Sequence, residues 1–295
     1  MNTLVIIITF NAMKWVDKCL SCVDYPQLQV YVVDNGSTDG TPSYIKSHYP
    51  SVLLYQSLEN LGFGRANNIG LQYAIDHKFD YVYLLNQDAW IFPETIGGMI
   101  KIVQKHPEYG ILSPFQMEAN MEHLDLNFKK EVCTWKSAPD LLDNLYLNKN
   151  ADLISVTAVM AAHWLISREC LLKVGGFSPT FRHYGEDNNY ADRVLYWGFK
   201  IGIAPSLKAV HDRENRPEKK NDFLYLSYVQ ILRMLSKPGK NNLSWIGMSF
   251  LFFKESIKNK SIEPLKYWMN IINNYKMIRK NKDISCSRMC AFLTC

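Results

Sequence analysis

The chain has 295 residues, with 47% hydrophobic content and a formal net charge of +5. That composition supports a sizeable packed core of one large domain or two. The charge is only mildly basic, and bases are not interleaved with aromatics along the first two hundred positions, so nucleic acid is not the expected partner. Seven cysteines are an odd number spread over a long chain, which predicts reduced thiols and a cytoplasmic setting instead of a disulfide framework.

Along the chain, short β-branched runs near 4–8, 30–33, 52–55 and 81–85 alternate with helical patterns near 13–22, 42–48, 64–77 and 93–105. This alternation predicts a doubly wound α/β sheet, its first 110 or so residues forming a nucleotide-binding half. The segment Met1–Thr3 lacks a basic n-region, and the apolar run behind it is short, so it reads as the first strand with no signal peptide. Cys19 and Cys22 form a C-x-x-C without a second pair, which reads as two thiols on one helical face. Residues 111–150 fit neither period and read as connecting loop with room for a hairpin. From Ile154 to Val210 the pattern is strand, short helix, Gly175-Gly176-Phe177 turn, polar loop, helix and strand. Beyond Asp222, amphipathic helices are predicted near 222–236, 244–258 and 263–281. The aromatic and aliphatic residues Trp245, Phe250, Leu251, Phe252, Phe253, Tyr267 and Trp268 are mixed there with Lys254, Lys258, Lys260 and Lys266. No run reaches the roughly 18 to 20 apolar residues that span a bilayer. The mixture instead fits either peripheral contact with an anionic membrane or packing on the core with a solvated basic face.

The chemistry collects where apolar runs give out. In open α/β sheets ligands bind at the carboxyl ends of the strands. Asp88 ends the run Tyr81–Leu85 in Asn86-Gln87-Asp88, where a carboxylate can hold a hard cation against a phosphate; its alternative role is a turn former or helix cap. Thr9 and Asn11 follow the first strand, and Asp34 opens Asp34-Asn35-Gly36-Ser37-Thr38-Asp39-Gly40 after the second. The loop Asn60–Gly70 has Gly-x-Gly without a third glycine in register, so it is no dinucleotide fingerprint. Arg65 and Asn67 can still reach an anion at the start of the following helix. Glu186-Asp187 is a pair of acids that can raise one another's pKa, which suits proton abstraction, or a pair favoured at a helix N-terminus by the dipole. His211 closes the last strand-like run and is a candidate metal or phosphate contact.

Taken in order, Val33-Asp34-Asn35-Gly36-Ser37, Asn60-x-Gly62, Leu85-Asn86-x-Asp88, Gly175-Gly176-Phe177, Tyr184-x-Glu186-Asp187 and Arg193-x-x-x-x-Gly198 resemble family 2 glycosyltransferases of the GT-A fold, chiefly bacterial rhamnosyltransferase-like members that build surface polysaccharides. The resemblance covers roughly residues 3 to 215. It implies a GT-A catalytic domain over 1–221, with an acceptor half over about 111–221 and a helical region over 222–295. Thr9, Asn11 and Asp34 would line the base and ribose pocket, with Arg65, Asn67 and Asn86 beside the nucleotide. Asp88 and His211 would hold Mg2+ or Mn2+, Asp187 would be the catalytic base, and Glu186 and Trp164 would orient the acceptor. The implied partners are a nucleotide-diphosphate sugar, dTDP-rhamnose or a UDP-hexose, and a glycan or lipid-linked acceptor met at the inner face of the cell membrane. Asn86-Gln87-Asp88 keeps one acid where many members have two or three. A sugar-nucleotide nucleotidyltransferase is the alternative enzyme, although Thr9–Met13 lacks the Gly-rich basic loop it needs. A non-catalytic carbohydrate-binding protein on the same fold is the alternative outside enzymes.

Overall fold

Val5 and Ile7 face one side of the first strand and Leu4 and Ile6 the other, yet all four are wholly buried. Side chains alternate across a strand, so such a run must be covered on both faces. The computed structural model describes residues 2–213, 223–239, 245–258 and 260–295 and shows that cover. Strands β1 (Thr3–Thr9), β2 (Leu28–Asp34), β3 (Leu53–Gln56) and β4 (Tyr81–Asn86) form a parallel group in the order β3-β2-β1-β4. Helices α1 (Val16–Ser21), α2 (Thr41–His48) and α3 (Phe63–Asp76) connect them. Leu4, Ile6, Leu71 and Leu84 belong to the core on one face, and Val5, Ile7, Leu20 and Ile45 to the core on the other. This is the α/β sheet with flanking helices that the alternation predicts. Because β2 and β4 lie on opposite sides of β1, the chain reverses its winding there, and a crevice opens at the carboxyl ends of these strands.

The second half extends the same sheet. After β5 (Ala89–Ile91) and α4 (Thr95–Lys105) comes β6 (Tyr109–Met117), all nine of whose residues are buried. The sequence reading of 111–150 as loop is therefore corrected over its first seven residues. Pro114 obscures this strand, since proline cannot donate to a ladder and normally argues against a central strand. The structure accommodates it with a register shift between Pro114 and Phe115 where β6 pairs with β9 (Lys200–His211). Beyond β6 lie a π turn (Phe128–Val132), α5 (Leu141–Tyr146), β7 (Ile154–Val156), β8 (His163–Ser167), α6 (Arg168–Val174) and α7 (Glu186–Tyr196). Antiparallel β8 joins the two halves by pairing with both β4 and β6.

Helices α8 (Phe223–Ser236), α9 (Trp245–Lys258) and α10 (Glu263–Ser287) follow. The expected boundary at 221–222 lies outside the described residues, as do the side chains of Trp245 and Leu251. Ile231, Leu232, Met248, Phe252, Ile271 and Ile278 pack together with Phe181 of the preceding loop. The segment after α10 returns to the first half. Cys290 N–H donates to Leu172 O and Gly176 N–H to Ala291 O, both at 2.8 Å. Thr294 exchanges two hydrogen bonds with the Gln72 side chain of α3, and Leu293 joins the core that holds Trp164 and Phe177. The segment after α10 thus packs on α3, on α6 and on the turn that follows α6. Cys290 and Cys295 lie side by side. They meet because the tail turns on itself, with Leu293 N–H donating to Cys290 O. Cys19, Cys22, Cys133, Cys170 and Cys286 are free.

Candidate active site

The loops after β1 and β2 are laced together by short polar side chains. Thr9 Oγ1 donates to Asp34 Oδ1 at 2.9 Å, and Ser37 Oγ and Ser37 N–H donate to the same carboxylate at 2.6 and 3.0 Å. Asn11 takes a positive φ of 50°, which Asn tolerates better than most residues. From there its amide oxygen accepts from Thr38 N–H at 2.8 Å, and its own N–H donates to Ser37 Oγ. Thr9 and Asp34 are buried against one another, whereas Asn11 is exposed. What Thr9 and Asp34 hold directly is therefore the loop, and through it the shape of the crevice. Gln87 adds a clamp that the sequence reading passed over as a missing acid. It accepts from Phe10 N–H at 2.7 Å and donates back to Phe10 O at 3.2 Å, tying the β1 loop to the turn that carries Asp88.

Asp88 and His211 are brought together by the pairing of β5 with β9, in which Ala89 lies opposite His211. Asp88 Oδ1 stands 3.5 Å from His211 Nε2, and both side chains are buried. Asn86 Nδ2 lies 3.4 Å from the same imidazole nitrogen, and Asp212 N–H donates to Asp88 O at 2.8 Å. Trp15 Nε1–H donates to Asp212 Oδ2 at 3.0 Å. Behind this pair sits His163, also missed from sequence. Its Nε2 faces Val210 O at 3.0 Å and so carries the proton, which leaves Nδ1 to accept from Tyr83 OH at 2.9 Å. Burial, reinforced by the nearby His211, pushes the His163 pKa down to about 3, so this ring is a neutral brace that pins the backbone beside His211. Among the described residues no cluster of three or more His, Cys, Asp or Glu could cage a metal. Two adjacent protein ligands do fit an ion whose remaining positions are filled by phosphate oxygens and water, as Mg2+-type sites usually are.

The paired acids come from α7 and are set against the glycine loop. Gly62 has φ +81°, and a Cβ there would collide with Arg182 O. A Cβ on Gly64 would meet Phe177 at 2.9 Å and Glu186 Cβ at 3.7 Å. The glycines thus serve close approach of α3 to the Phe177–Asp187 stretch, which explains why they do not fit a dinucleotide register. Asn68, beside the expected Asn67, locks the same contact by accepting from Phe177 N–H at 2.6 Å and donating to Phe177 O at 2.9 Å. Asn67 itself is buried and donates to Phe63 O within its helix. Arg65 is exposed near the start of α3. Arg193 is fully buried, bonding Val174 O and Gly176 O under the Gly175-Gly176-Phe177 turn.

Glu186 is buried and Asp187 half-buried. Burial, then the neighbouring Asp187 charge, pushes the Glu186 pKa up to about 8. Burial also raises the Asp187 pKa, against the Asn188 N–H at 2.7 Å and the guanidiniums of Arg213 and Arg233, which favour its carboxylate. The two carboxyls are adjacent and both are pushed upward, Glu186 to about 8, so the pair holds its protons more tightly than free acids do. Arg213, two residues past His211, pairs with Asp125 at 2.8 Å and also acts on Asp187.

Trp164 is corrected. It lies on β8 with no exposed surface, its indole N–H donates to Val159 O at 3.1 Å, and its ring stacks on Phe177. A ring enclosed in this way has no face to offer an acceptor.

The model of the family described as glycosyl transferase family 2 matches residues 4–174. Over 213 residues the chain is 25% identical to the N-acetylglucosaminyl-diphospho-decaprenol L-rhamnosyltransferase of Mycobacterium tuberculosis (strain CDC 1551 / Oshkosh), covering 66% of this chain and 69% of that one. Among solved structures, the mannosyltransferase PcManGT from Pyrobaculum calidifontis, in complex with GDP-Man and Mn2+, superposes with a TM-score of 0.55 at 20% identity. That match covers 79% of this chain but only 62% of the other. S. aureus TarS 1-349 in complex with UDP-GlcNAc has a TM-score of 0.55 at 17% identity, over 97% of this chain and 84% of that one. The shared architecture is the GT-A fold, and the chain belongs to glycosyl transferase family 2.

Proposed function

We propose that the protein is an inverting glycosyltransferase that moves a sugar from a nucleotide-diphosphate sugar, dTDP-rhamnose or a UDP-hexose, to a hydroxyl of a glycan or lipid-linked acceptor. One observation carries this reading: the pairing of β5 with β9 sets Asp88 Oδ1 3.5 Å from His211 Nε2, both side chains buried, at the carboxyl end of the parallel strands. Asn11, Arg65 and Asn86 meet the nucleotide, while Thr9 and Asp34 keep the base and ribose crevice in shape. Asp88 and His211 would hold Mg2+ or Mn2+, which would supply positive charge beside the diphosphate. Asp187 accepts the proton of the acceptor hydroxyl as that oxygen attacks the anomeric carbon from the face opposite the diphosphate. A single displacement inverts the carbon. Incubation with a panel of nucleotide sugars and acceptor glycosides is expected to release nucleoside diphosphate from one donor class, with inverted product by NMR. Nucleotide binding with no release from any donor would refute transfer.

The acceptor reading extends to a membrane surface. Among the described residues no helix is long and apolar enough to cross a bilayer. On α9 and α10, however, Phe250, Phe253, Ile257 and Met269 are at least half exposed, among exposed Lys254, Lys258, Lys266 and Lys276. Phe252 is buried, and Tyr267 and Trp268 are half-buried against the helical core. The outward set is the mixture that lies in a headgroup layer, held by apolar burial and by anionic lipid. We expect the protein to float with anionic liposomes and the double variant Phe250→Glu, Phe253→Glu to stay in the dense fraction with an unchanged melting temperature. Equal flotation of both would place membrane contact elsewhere or nowhere.

A further inference from the structure

The residues just ahead of the paired acids carry a feature that plays no part in the reading above. Tyr184 stands two positions before Glu186, so chain geometry alone keeps their Cα atoms within about 7 Å of one another. Its φ is 66°, followed by 84° at Gly185, the N-cap of α7. For a bulky residue a positive φ is an outlier, and such strain gathers at functional sites. Burial does not offset it, because 44% of Tyr184 is exposed.

The helical region meets this tyrosine. Three contacts fix α8 along α7: a Cβ on Gly185 would stand 2.6 Å from Val229 Cγ1, Asn189 Nδ2 donates to Ser236 Oγ at 3.2 Å, and Arg233 pairs with Asp192 at 2.8 Å. One turn before Val229, Tyr225 OH donates to His183 O at 2.7 Å, and its ring meets that of Tyr184 edge-on, with centroids 6.4 Å apart. His183 also contacts the Tyr184 ring, at 4.3 Å. The row continues inward, since Tyr225 lies 6.0 Å from Tyr228 and 6.1 Å from Tyr267, whose own rings stack at 5.0 Å. Tyr228 and Tyr267 pack on the helical core, whereas Tyr184 is exposed and Tyr225 half-buried outside it. Packing therefore accounts for the inner pair and not for the outer one. The two outer rings, inclined at 66°, form an aromatic corner next to the paired acids.

We propose that Tyr184 and Tyr225 form a subsite for the acceptor sugar, whose ring lays its C–H face on theirs while one of its hydroxyls meets Asp187. This rests on the transfer reading above and names the part of the site that selects the acceptor. An aromatic face is electron-rich, and the C–H groups of a pyranose, polarised by their oxygens, pack against it. Two phenols at a wet rim suit a ligand that is apolar on one face and polar at its edges. A hydrocarbon tail would be better served by Phe or Leu, so the occupant is a sugar. Neither ring takes part in bond making. The helical region thereby supplies one wall of the acceptor site, the role that the sequence reading gave to Trp164.

The test uses the full chain with dTDP-rhamnose and UDP-hexoses as donors, and methyl and octyl glycosides of N-acetylglucosamine, glucose, galactose and rhamnose as acceptors. Tyr184→Gly deletes the ring at a position whose φ glycine adopts freely, which spares the fold. It should raise the KM of the working acceptor by about 3- to 10-fold, the scale of one lost aromatic contact. Turnover at saturation, donor affinity by calorimetry and melting temperature should stay close to wild type. Tyr184→Phe should recover most of the loss, and Tyr225→Leu, which keeps bulk without a ring, should raise the same KM. The loss should be equal on the methyl and octyl glycosides of one sugar. An unchanged acceptor KM in Tyr184→Gly, or a fall in turnover alone, would overturn the assignment, and a loss confined to the octyl glycoside would give the rings to a lipid tail instead. Wild-type protein that transferred to none of these acceptors and cleaved none of these donors would remove the transfer reading on which the subsite stands.

Discussion

Replacing Asp187 with Asn is expected to lower turnover by about 10²- to 10⁴-fold, the usual contribution of general-base catalysis, with donor affinity almost intact. The carboxylate lies on α7, a different element from those that carry Thr9, Asp34 and Asp88, and the amide keeps its volume. Single-turnover rates and calorimetric donor binding separate the two effects. Glu186→Gln should be the milder change, because a carboxyl with a pKa near 8 is already largely uncharged at neutral pH. Its signature is in stability. A carboxyl whose pKa rises from 4.5 unfolded to about 8 folded binds its proton more tightly in the native state. Its stabilising contribution is complete below the unfolded value and is lost as pH climbs through the folded one. Chemical denaturation between pH 5 and 9 should therefore show a decline that Glu186→Gln flattens. If Glu186→Gln abolished turnover while Asp187→Asn spared it, the base would be Glu186.

Asp88→Ala should remove most metal-dependent donor binding. The variant leaves His211 as the sole member of the pair, and a hard ion prefers carboxylate oxygen to imidazole nitrogen. Manganese titration followed by electron paramagnetic resonance, with nucleoside diphosphate present, reads the site without reference to turnover. Loss of a direct carboxylate ligand should weaken manganese by more than the 10- to 100-fold typical of outer-shell changes. Wild-type manganese affinity in Asp88→Ala, with activity that survives excess chelator, would detach Asp88 from any ion.

Much of the sheet and the motif positions were legible because they depend on local pattern. A run such as Leu4–Ile8 is apolar at every position only when both faces are covered, and polar residues at its end mark the crevice. Legibility failed where the deciding partner is distant in sequence. Pro114 argues locally against a strand, and only its pairing with β9 shows how a register shift admits it. Trp164 looks like a recognition residue until its packing against Phe177 and Tyr190 is seen. His163, Gln87 and Asn68 act through partners 47 to 109 residues away, which no single-sequence period encodes. The placement of Asn67 and Asn68 shows the limit most sharply. The two are adjacent, and only the helix phase decides which one reaches Phe177.

The return of residues 290–295 to α3 and α6 bears on how the molecule is made. A nascent chain leaves the ribosome from its first residue, and domains ordinarily fold as they emerge. Here Leu172, Gly176 and Gln72 wait for partners synthesised more than a hundred residues later. The apolar surface that Leu293 covers stays open until then. The sheet, whose last strand ends at His211, is therefore complete but incompletely covered throughout synthesis of the helical region. A protease cut just before Cys290 would recreate that vulnerable state in the finished protein.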